Sequence, residues 1–405
     1  MTDVMQGVRV LEVAEHTFVP AASALLADWG AEVIKIEHVE RGDAMRGLMS
    51  SGIAAIQSDV HVLLEHSNRG KRSLALDLSS PEGVDILYQL AATCDVFLTN
   101  KMAPVRTKLK IDVGDIRAHN PNIIYVRGSG QGERGPDAER GSYDSLAYWC
   151  RAGIAMGMKQ ESYDYVPMPA APAFGDSIGA MTIAGGIMGA LFHRERTGEA
   201  TTVDVSLLGV GLWSMGAALA LSLQLGVGWR PPPAGTTSGN PLVATYKTKD
   251  EKFLSMSCLQ AGKYWAEFSE VVGRPELATD PRFADADAIR ENAAAAAELV
   301  RETLAARTAD EWRERFAEFS GQWVMVQDTL EAAADPQTMA NGYVAECQTA
   351  EGAPFQLAAA PVQYDEKPAE PERAPEFNEH GDAILAEAGL DWDTIVDLKV
   401  RGIVA

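Results

Sequence analysis

The sequence has few cysteines, and none of them forms a metal or redox motif. Its 405 residues contain four cysteines, at positions 94, 150, 258 and 347, and no two of them make a CxxC pair. Cysteines this far apart predict neither a zinc site nor a redox couple. We therefore expect reduced thiols and no bound metal.

Long apolar runs and a signal peptide are also missing. No segment reaches the roughly 18 uninterrupted apolar residues of a membrane-spanning helix. The opening stretch, MTDVMQGVRV, lacks the basic and then apolar pattern of a signal peptide. These absences predict a cytoplasmic protein without a membrane partner.

Basic residues are in the minority. Lysine and arginine total 35 against 57 aspartates and glutamates, so the net charge is −22, which argues against a nucleic-acid partner. A polyanionic small molecule would need a local basic patch. The clearest one lies in HSNRGKRSLALDL, where Arg69, Lys71 and Arg72 surround Gly70. It fits either a solvated turn or a phosphate-binding edge that includes Arg72.

Strand-like and helix-like segments alternate in the first third of the chain. The strand-like segments are VRVLEV, AEVIKIE, SLALDL, DVFLT and NIIYVRG, and helices are predicted in PAASALLADWG and SPEGVDILYQLAATC. This alternation predicts an α/β fold with a doubly wound, mostly parallel, Rossmann-like sheet. The turn after the first strand, AEHTFVPAAS, has no glycine cluster, so a dinucleotide ligand is not predicted.

A stretch rich in proline and glycine, GWRPPPAGTTSGNP, marks the best domain boundary. We predict a large domain over residues 1–225 and a smaller α/β domain over 226–335. The small domain should contain a hairpin turning at residues 249–251 and helices from Pro281 to Phe319. Residues 336–405 are predicted to return to the large domain.

One carboxylate stands before an apolar, glycine-rich segment, GDSIGAMTIAGGIMGALFHRERTG. Asp176 has the setting of a helix N-cap. Glycine inside a helix costs roughly 1 kcal/mol relative to alanine, so Gly179, Gly185, Gly186 and Gly189 predict close approach of a backbone or ligand. The cap role and a role as a poorly solvated nucleophile both stay open. The carboxylate should be ionised at neutral pH unless burial raises its pKa by about three units.

A second carboxylate, Asp144, lies in the apolar stretch GSYDSLAYW between Tyr143 and Tyr148. A buried carboxylate needs partners, so Asp144 is either paired structurally or part of a site. Three histidines lack metal-ligand spacing and are predicted to be surface or structural residues: His16, His38 and His193.

Five blocks in order give the chain a resemblance over nearly its whole length. They are GVRVLEV…LLADWGAEVIKIEHVERGDAMR, NRGKRSLALDLSSPEG, NPNIIYVRGSGQGERGP, FGDSIGAMTIAGGIMGALFHRERTGEATTVDVSL and NPLVATYKTKD. The chain resembles the family III CoA-transferases, which include formyl-CoA, carnitine and bile-acid CoA-transferases.

The resemblance implies that Asp176 is the nucleophile, with Asp144 in support. Asp176 would form an aspartyl–acyl anhydride and then an aspartyl–CoA thioester, as covalent catalysis requires. It also implies an interlocked homodimer, an acyl-CoA and a carboxylic acid as substrates, and no tightly bound cofactor.

The resemblance carries over a set of CoA contacts as well. These are Thr17, Phe18, His38, Leu76, Asp77, Asn100, Lys101, Lys108 and Tyr143. Two positions depart from the family pattern: His38 replaces a common arginine, and Lys101 replaces the aromatic residue of an NF step.

Two alternatives belong to other activities. An α-methylacyl-CoA racemase has a histidine in a GHD step where this chain has Tyr143, and tyrosine, with a pKa near 10, is a poor base at neutral pH. A non-catalytic CoA-binding protein is the other alternative. The glycine-run loop of formyl-CoA enzymes corresponds here to AGTTSGNP, with Gly235 and Gly239 only. This predicts a stiffer loop and a bulkier acid than oxalate, as in the carnitine and bile-acid branch.

Overall fold

The computed structural model describes residues 3–51, 58–233 and 239–405. Gly235 and most of the predicted stiff loop lie outside the described residues. The chain divides into two compact units. Unit 1 comprises Met1–Met158, Val166–Trp229 and Pro336–Ala405, and unit 2 comprises Lys159–Tyr165 and Arg230–Asp335.

The strands and helices follow one another along both units. The strands are β1 (Arg9–Val13), β2 (Glu32–His38), β3 (Arg72–Leu76), β4 (Val96–Thr99), β5 (Ile124–Ser129), β6 (Thr202–Ser206), β7 (Val243–Lys247), β8 (Phe253–Ser257), β9 (Trp323–Met325), β10 (Val344–Gln348) and β11 (Pro354–Ala358). The α-helices are α1 (Pro20–Asp28), α2 (Val62–Asn68), α3 (Pro81–Ala91), α4 (Ala103–Leu109), α5 (Val113–His119), α6 (Ile154–Met158), α7 (Phe174–Thr197), α8 (Leu207–Ser214), α9 (Gly216–Leu225), α10 (Ala261–Val271), α11 (Glu276–Thr279), α12 (Ala286–Glu291), α13 (Ala293–Leu304), α14 (Ala309–Phe316), α15 (Thr329–Ala333), α16 (Pro336–Ala340), α17 (Gly381–Glu387) and α18 (Trp392–Val400). Short 3-10 turns lie at Ala44–Ser51 and Pro281–Phe283, and a π-helical segment spans Ser145–Arg151.

Unit 1 is built on a parallel sheet with the strand order β3-β2-β1-β4-β5-β6. Val10 of β1 pairs with Val33 of β2 on one side and with Val96 of β4 on the other. All five strand pairs of this sheet run parallel. The prediction of a doubly wound α/β fold with a mostly parallel sheet is therefore confirmed.

Helices cover both faces of the sheet, which explains why its strands are nearly continuous apolar runs. On one face, α1 and α7 bury residues such as Leu26 and Ile183 against β1, β4 and β5. On the other face, α3, α17 and α18 bury Leu87, Ile384 and Leu398. The sheet thus forms a rigid support for the loops at its carboxyl edge.

The C-terminal helices pack beside β3 within unit 1. The backbone N–H of Asp77 donates to Ile403 O over 2.9 Å, and that of His380 donates to Ser73 O over 3.0 Å. These bonds occupy the edge of β3, so residues just after this strand are held in place from both sides.

The glycine-rich segment forms the 24-residue helix α7. Its length and hydropathy would allow it to cross a membrane, yet it packs on α1 as a core helix of unit 1. A Cβ at Gly179 would lie 2.3 Å from the Phe18 ring, and one at Gly186 would lie 2.9 Å from Val203. The close approach predicted from the glycines therefore exists at these two positions, but it is made by side chains.

Unit 2 contains the antiparallel sheet β7-β8-β9. The predicted hairpin is confirmed: Thr248 N donates to Lys252 O over 2.9 Å, and Glu251 adopts a φ of +64° in the turn. Helices α10 to α14 bury an aromatic core that includes Trp265, Phe268 and Phe316.

Candidate active site

Two adjoining cavities open at the carboxyl ends of the parallel strands in unit 1. The α7 cavity measures about 440 Å³ and is lined by residues that follow β1, β4, β5 and β6 together with Asp176. The β2 cavity measures about 310 Å³ and is lined by residues at the ends of β1, β2 and β3. Both share a wall formed by Glu15, Arg41, Lys101 and Val105. This position spans the point where strand order reverses between β1 and β4, which is where doubly wound sheets bind ligands.

Asp176 is the third residue of α7 and faces the α7 cavity. The prediction that it caps this helix is wrong, because the helix begins at Phe174 and its N-cap is Ala173. Ala173 has a φ of +55° and offers no side-chain cap. Left-handed backbone at a residue with a Cβ costs roughly 1–2 kcal/mol, and such strain clusters at functional sites.

Asp144 supplies the acceptor that the start of α7 lacks. Its Oδ2 accepts the Gly175 backbone N–H over 3.1 Å, while its Oδ1 accepts the Ser145 N–H over 2.7 Å and caps the π-helical segment. Both helical starts therefore converge on one carboxylate. These bonds give Asp144 the structural pairing that was one of the two possibilities left open by the sequence; its membership of a site stays a prediction.

The surroundings of Asp176 change the acidity of its carboxyl group. Two effects raise the pKa of Asp176 to about 7. Burial is the larger effect, and the nearby charge of Asp144 is the second. At neutral pH the ionised and neutral forms are therefore both populated. The ionised form is poorly solvated and has no compensating cation among the ion pairs of the described residues, which favours nucleophilic attack.

His16 lines the α7 cavity, although the sequence favoured a surface or structural role. It lies just after β1 with a φ of +66°, and its N–H donates to Asp43 Oδ1 over 3.0 Å. Its ring stands edge-on to the ring of Tyr143 at 5.6 Å. The available signal was its place directly after the first strand of a doubly wound sheet.

Charge on the shared wall is arranged around Glu15. Lys101 Nζ lies 2.7 Å from Glu15 Oε2, and Arg41 lies 3.8 Å from Glu15 Oε1. Asn100 holds this turn by donating from Nδ2 to Glu15 O over 2.6 Å. An anionic ligand passing along the wall could therefore exchange places with Glu15 as the partner of Lys101 or Arg41.

Most residues carried over as CoA contacts do line the cavities. Phe18, Asn100, Lys101 and Tyr143 line the α7 cavity. The residues of the β2 cavity are His38, Leu76, Asp77, Lys101 and Lys108. Thr17 is only 2 % exposed and lines neither of the two cavities, and Arg72 lines neither as well.

The basic turn is neither a solvated turn nor a phosphate-binding edge. Arg69 pairs with Asp28 and Lys71 pairs with Glu12, each at 2.8 Å and each buried. Arg72 bridges Glu32 and Glu387 at 2.7 Å. The prediction failed because the acidic partners come from distant segments, up to 315 residues away along the chain.

Lys71 belongs to a set of four buried charges that we call the ion network: Glu12, Lys35, Asp43 and Lys71. Lys35 Nζ lies 2.7 Å from Glu12 and 2.8 Å from Asp43. Burial would raise the pKa of Glu12, but Lys35 and Lys71 outweigh it and hold the pKa below its usual range. Burial lowers the pKa of Lys71 to about 8. The network ties β1 and β2 to the turn that carries His16.

Taken together, the sheet order, the two-part cavity and the carboxylate with a raised pKa define a doubly wound α/β protein with a candidate ligand site at the strand reversal point. Residues 5–381 match the model of CoA-transferase family III, so the chain belongs to this family and is a CoA-transferase.

Known proteins of this family are similar over nearly their full length. The chain is 28% identical over 396 residues to (R)-2-hydroxy-4-methylpentanoate CoA-transferase of Clostridioides difficile, covering 98% of both chains. It is 27% identical over 400 residues to cinnamoyl-CoA:phenyllactate CoA-transferase of Clostridium sporogenes, covering 98% of this chain and 96% of that one. The crystal structure of a CAIB/BAIF family protein from Brucella suis superposes with a TM-score of 0.79 at 28% identity, covering 96% of this chain and 100% of that one.

Proposed function

We propose that this CoA-transferase moves CoA from an acyl-CoA donor to a carboxylic acid acceptor through covalent intermediates on Asp176. The observation that carries the proposal is a carboxylate with a pKa raised to about 7 that lines a cavity at the strand reversal point. Asp144 supports it by holding the start of α7 through Gly175.

The exchange proceeds by four acyl transfers. Asp176 attacks the donor thioester carbonyl, the C–S bond breaks, and an aspartyl–acyl anhydride and CoA thiolate form. The thiolate attacks the aspartyl carbonyl, which releases the donor acid as its carboxylate and leaves an aspartyl–CoA thioester. The acceptor carboxylate then forms a second anhydride and frees the thiolate. Attack of this thiolate on the acceptor carbonyl yields the new CoA ester and regenerates the Asp176 carboxylate.

We propose that CoA spans both cavities. Its thioester end would lie beside Tyr143 and Asp176, and the rest would pass Lys101 on the shared wall toward His38 and Lys108. The combined length of two adjoining cavities supports an extended ligand, and cationic side chains along the path suit its phosphates.

Trapping tests the covalent step directly. The protein is incubated with a panel of acyl-CoA donors and hydroxylamine, and peptides are examined by mass spectrometry. We expect a hydroxamate at Asp176, and none in Asp176→Asn, which keeps the side-chain volume. A hydroxamate at another carboxylate would assign the nucleophile to that residue and contradict the role of Asp176. No adduct with any donor, together with retained CoA binding, would indicate the non-catalytic CoA-binding alternative.

For the acceptor we propose a bulky monocarboxylic acid. The names of the two curated relatives point to 2-hydroxy acids with a branched or aromatic chain, and an α7 cavity of about 440 Å³ accommodates such groups. An acceptor panel that includes oxalate, carnitine, a bile acid and phenyllactate tests this. Oxalate as the best acceptor would contradict it.

We also propose that the protein is an interlocked homodimer. Residues 207–227 carry no charged side chain, yet no residue of α9 is buried, and Trp213 and Leu223 are 86% and 75% exposed. An apolar helix of this kind is stable in water only when it is covered. Light scattering after gel filtration should give a dimer that Leu223→Glu dissociates and the control Val400→Glu does not. A monomer at micromolar concentration would contradict the proposal.

Racemisation is the second candidate activity, because His16 supplies another acid–base group to the cavity that holds Asp176. The test is deuterium uptake at the α-carbon of a 2-methylacyl-CoA in heavy water without an acceptor acid. We expect no uptake with wild type. Uptake that His16→Asn abolishes would establish the racemase activity.

A further inference from the structure

His66 is a titratable residue that the proposed reaction does not use. It lies on α2, lines neither cavity, and is half-buried behind the start of α7. Burial, and next the charge of Arg69, lower its pKa to about 4, so the ring is neutral at physiological pH. A neutral imidazole in this position can orient a neighbour by hydrogen bonding without compensating the charge of Asp176.

The His66 ring reaches the residue that follows the nucleophile. His66 Nε2 lies 3.2 Å from Ser177 Oγ, and Ser177 Oγ donates to Ala173 O over 3.0 Å. The Ser177 N–H also donates to Ala173 O, over 2.9 Å. With the hydroxyl hydrogen directed at Ala173, Ser177 accepts from His66, which therefore carries its proton on Nε2.

This chain of bonds ends on the strained residue of the site. Ala173 is the N-cap of α7, with a φ of +55° and no side-chain cap of its own. Asp144 satisfies the N–H side of this turn through Gly175, whereas Ser177 satisfies its carbonyl side. Asp176 lies between these two anchored residues.

An ion pair anchors the end of the helix that carries His66. Arg69, which follows α2, forms hydrogen bonds of 2.8–3.1 Å to both carboxylate oxygens of Asp28 at the end of α1. Side chains supported by such a bidentate ion pair keep one position better than those on loops. The position of His66 relative to α1 is therefore fixed by this neighbouring ion pair.

We propose that His66 is a positioning residue for the nucleophile: through Ser177 it holds the left-handed turn at Ala173 and so fixes the direction of Asp176 in the α7 cavity. The inference rests on the proposed role of Asp176. The expected effect on the rate comes from the position of the carboxylate, since a displacement of about 1 Å of a reacting group costs on the order of 100-fold in rate.

The test compares His66→Leu, which removes the donor, with His66→Gln, which keeps an N–H near the same place. The rate of hydroxamate formation at Asp176 should fall about tenfold or more in His66→Leu and largely recover in His66→Gln. The CoA dissociation constant should stay unchanged in both. Ser177→Ala should lose about the same factor, and the double variant should be no slower than either single variant, because both remove one chain of bonds.

A second readout does not depend on activity. Amide hydrogen exchange of residues 174–178 should accelerate about tenfold in His66→Leu and Ser177→Ala but not in His66→Gln, while residues 183–187 of the same helix stay unchanged. Unchanged exchange at the start of α7, or losses that multiply in the double variant, would overturn the proposal. Absence of any wild-type hydroxamate would instead overturn the proposed function, and the exchange result would still decide whether His66 holds the turn.

Discussion

Unit 1 contains two groups of poorly solvated charges that differ in one respect. In the ion network, both carboxylates, Glu12 and Asp43, lie within 2.8 Å of a lysine ammonium. In the carboxylate pair, Asp176 has Asp144 as its charged neighbour. Burial acts on both groups, but the network lowers the pKa of Glu12 and Asp43 whereas the pair raises that of Asp176. Compensated carboxylates stay ionised although they are buried, whereas an uncompensated carboxylate beside a cavity has the raised pKa that is typical of a candidate functional site.

The largest effect is expected at the uncompensated carboxylate. Asp176→Asn should lower the exchange rate by roughly 1,000-fold or more, because the amide cannot form the anhydride. CoA binding, measured by calorimetry, should be retained. Loss of CoA binding together with loss of folding would assign Asp176 a structural role.

The same variant should be more stable than wild type at neutral pH. The folded-state pKa of Asp176, about 7, is above its unfolded value of about 4. Wild type therefore loses stability as pH rises through this window, since the unfolded chain releases the proton first. Asp176→Asn lacks this titration, so its stability advantage over wild type should grow by about 4 kcal/mol from pH 4 to pH 7 in denaturant unfolding, or about 1.4 kcal/mol per pH unit. An advantage that is constant with pH would contradict the raised pKa.

Removing one member of the compensated network should have the next largest effect. Glu12→Leu leaves Lys35 and Lys71 buried without their shared partner and should cost about 3–5 kcal/mol in the free energy of unfolding. As a control, replacing Glu12 and Lys71 together by leucine and methionine should recover part of that loss. If the single variant costs no more than a surface substitution, the network does not support the sheet.

Asp144→Asn tests whether the charge of Asp144 contributes to the raised pKa of Asp176. In the proposed mechanism the ionised form of Asp176 is the nucleophile, so the wild-type exchange rate should rise with pH through about 7. Without the Asp144 charge the rising limb should move to lower pH, because one of the two causes of the raised pKa is gone. The control Asp164→Asn should leave the pH–rate profile in place. If the rising limb of Asp144→Asn lies at the same pH as that of wild type, burial alone sets the pKa of Asp176.

The smallest expected effects compare CoA binding by a variant of the basic turn with CoA binding by a variant of the β2 cavity. Arg72→Gln breaks ion pairs to Glu32 and Glu387 and should cost less than about 1 kcal/mol, with no change in CoA affinity. Lys108→Gln, in the wall of the β2 cavity, should weaken CoA binding several-fold. Equal affinities in the two variants would contradict the proposed path of CoA.

Strand positions were predictable because buried parallel strands are continuous apolar runs. VRVLEV predicted β1 to within one residue, and AEVIKIE and DVFLT predicted β2 and β4 nearly as well. The proposed role of Asp176 as the nucleophile follows from the family resemblance and stays a prediction. The residues alone left a cap and a nucleophile open for Asp176, and the structure gives the cap position to Ala173.

The partners of charged and polar side chains were not predictable. Lys71 and Glu12 are 59 residues apart in the chain, and His66 and Ser177 are 111 apart. Nothing in the local sequence around Arg69 distinguishes a buried ion pair from a solvated turn. His16 was missed for the same reason, since its place in the cavity depends on Asp43 holding its backbone.

By itself, the sequence determined the strands β1 to β5 of the parallel sheet and the helices α1 and α3, because hydrophobic periodicity is a local property of each segment. It also determined membership of the family, through motifs that lie in continuous blocks. Tertiary structure alone decided which charges are compensated and which are not. Electrostatic compensation depends on distances between groups that are remote in the chain, and only the folded sheet brings those groups together.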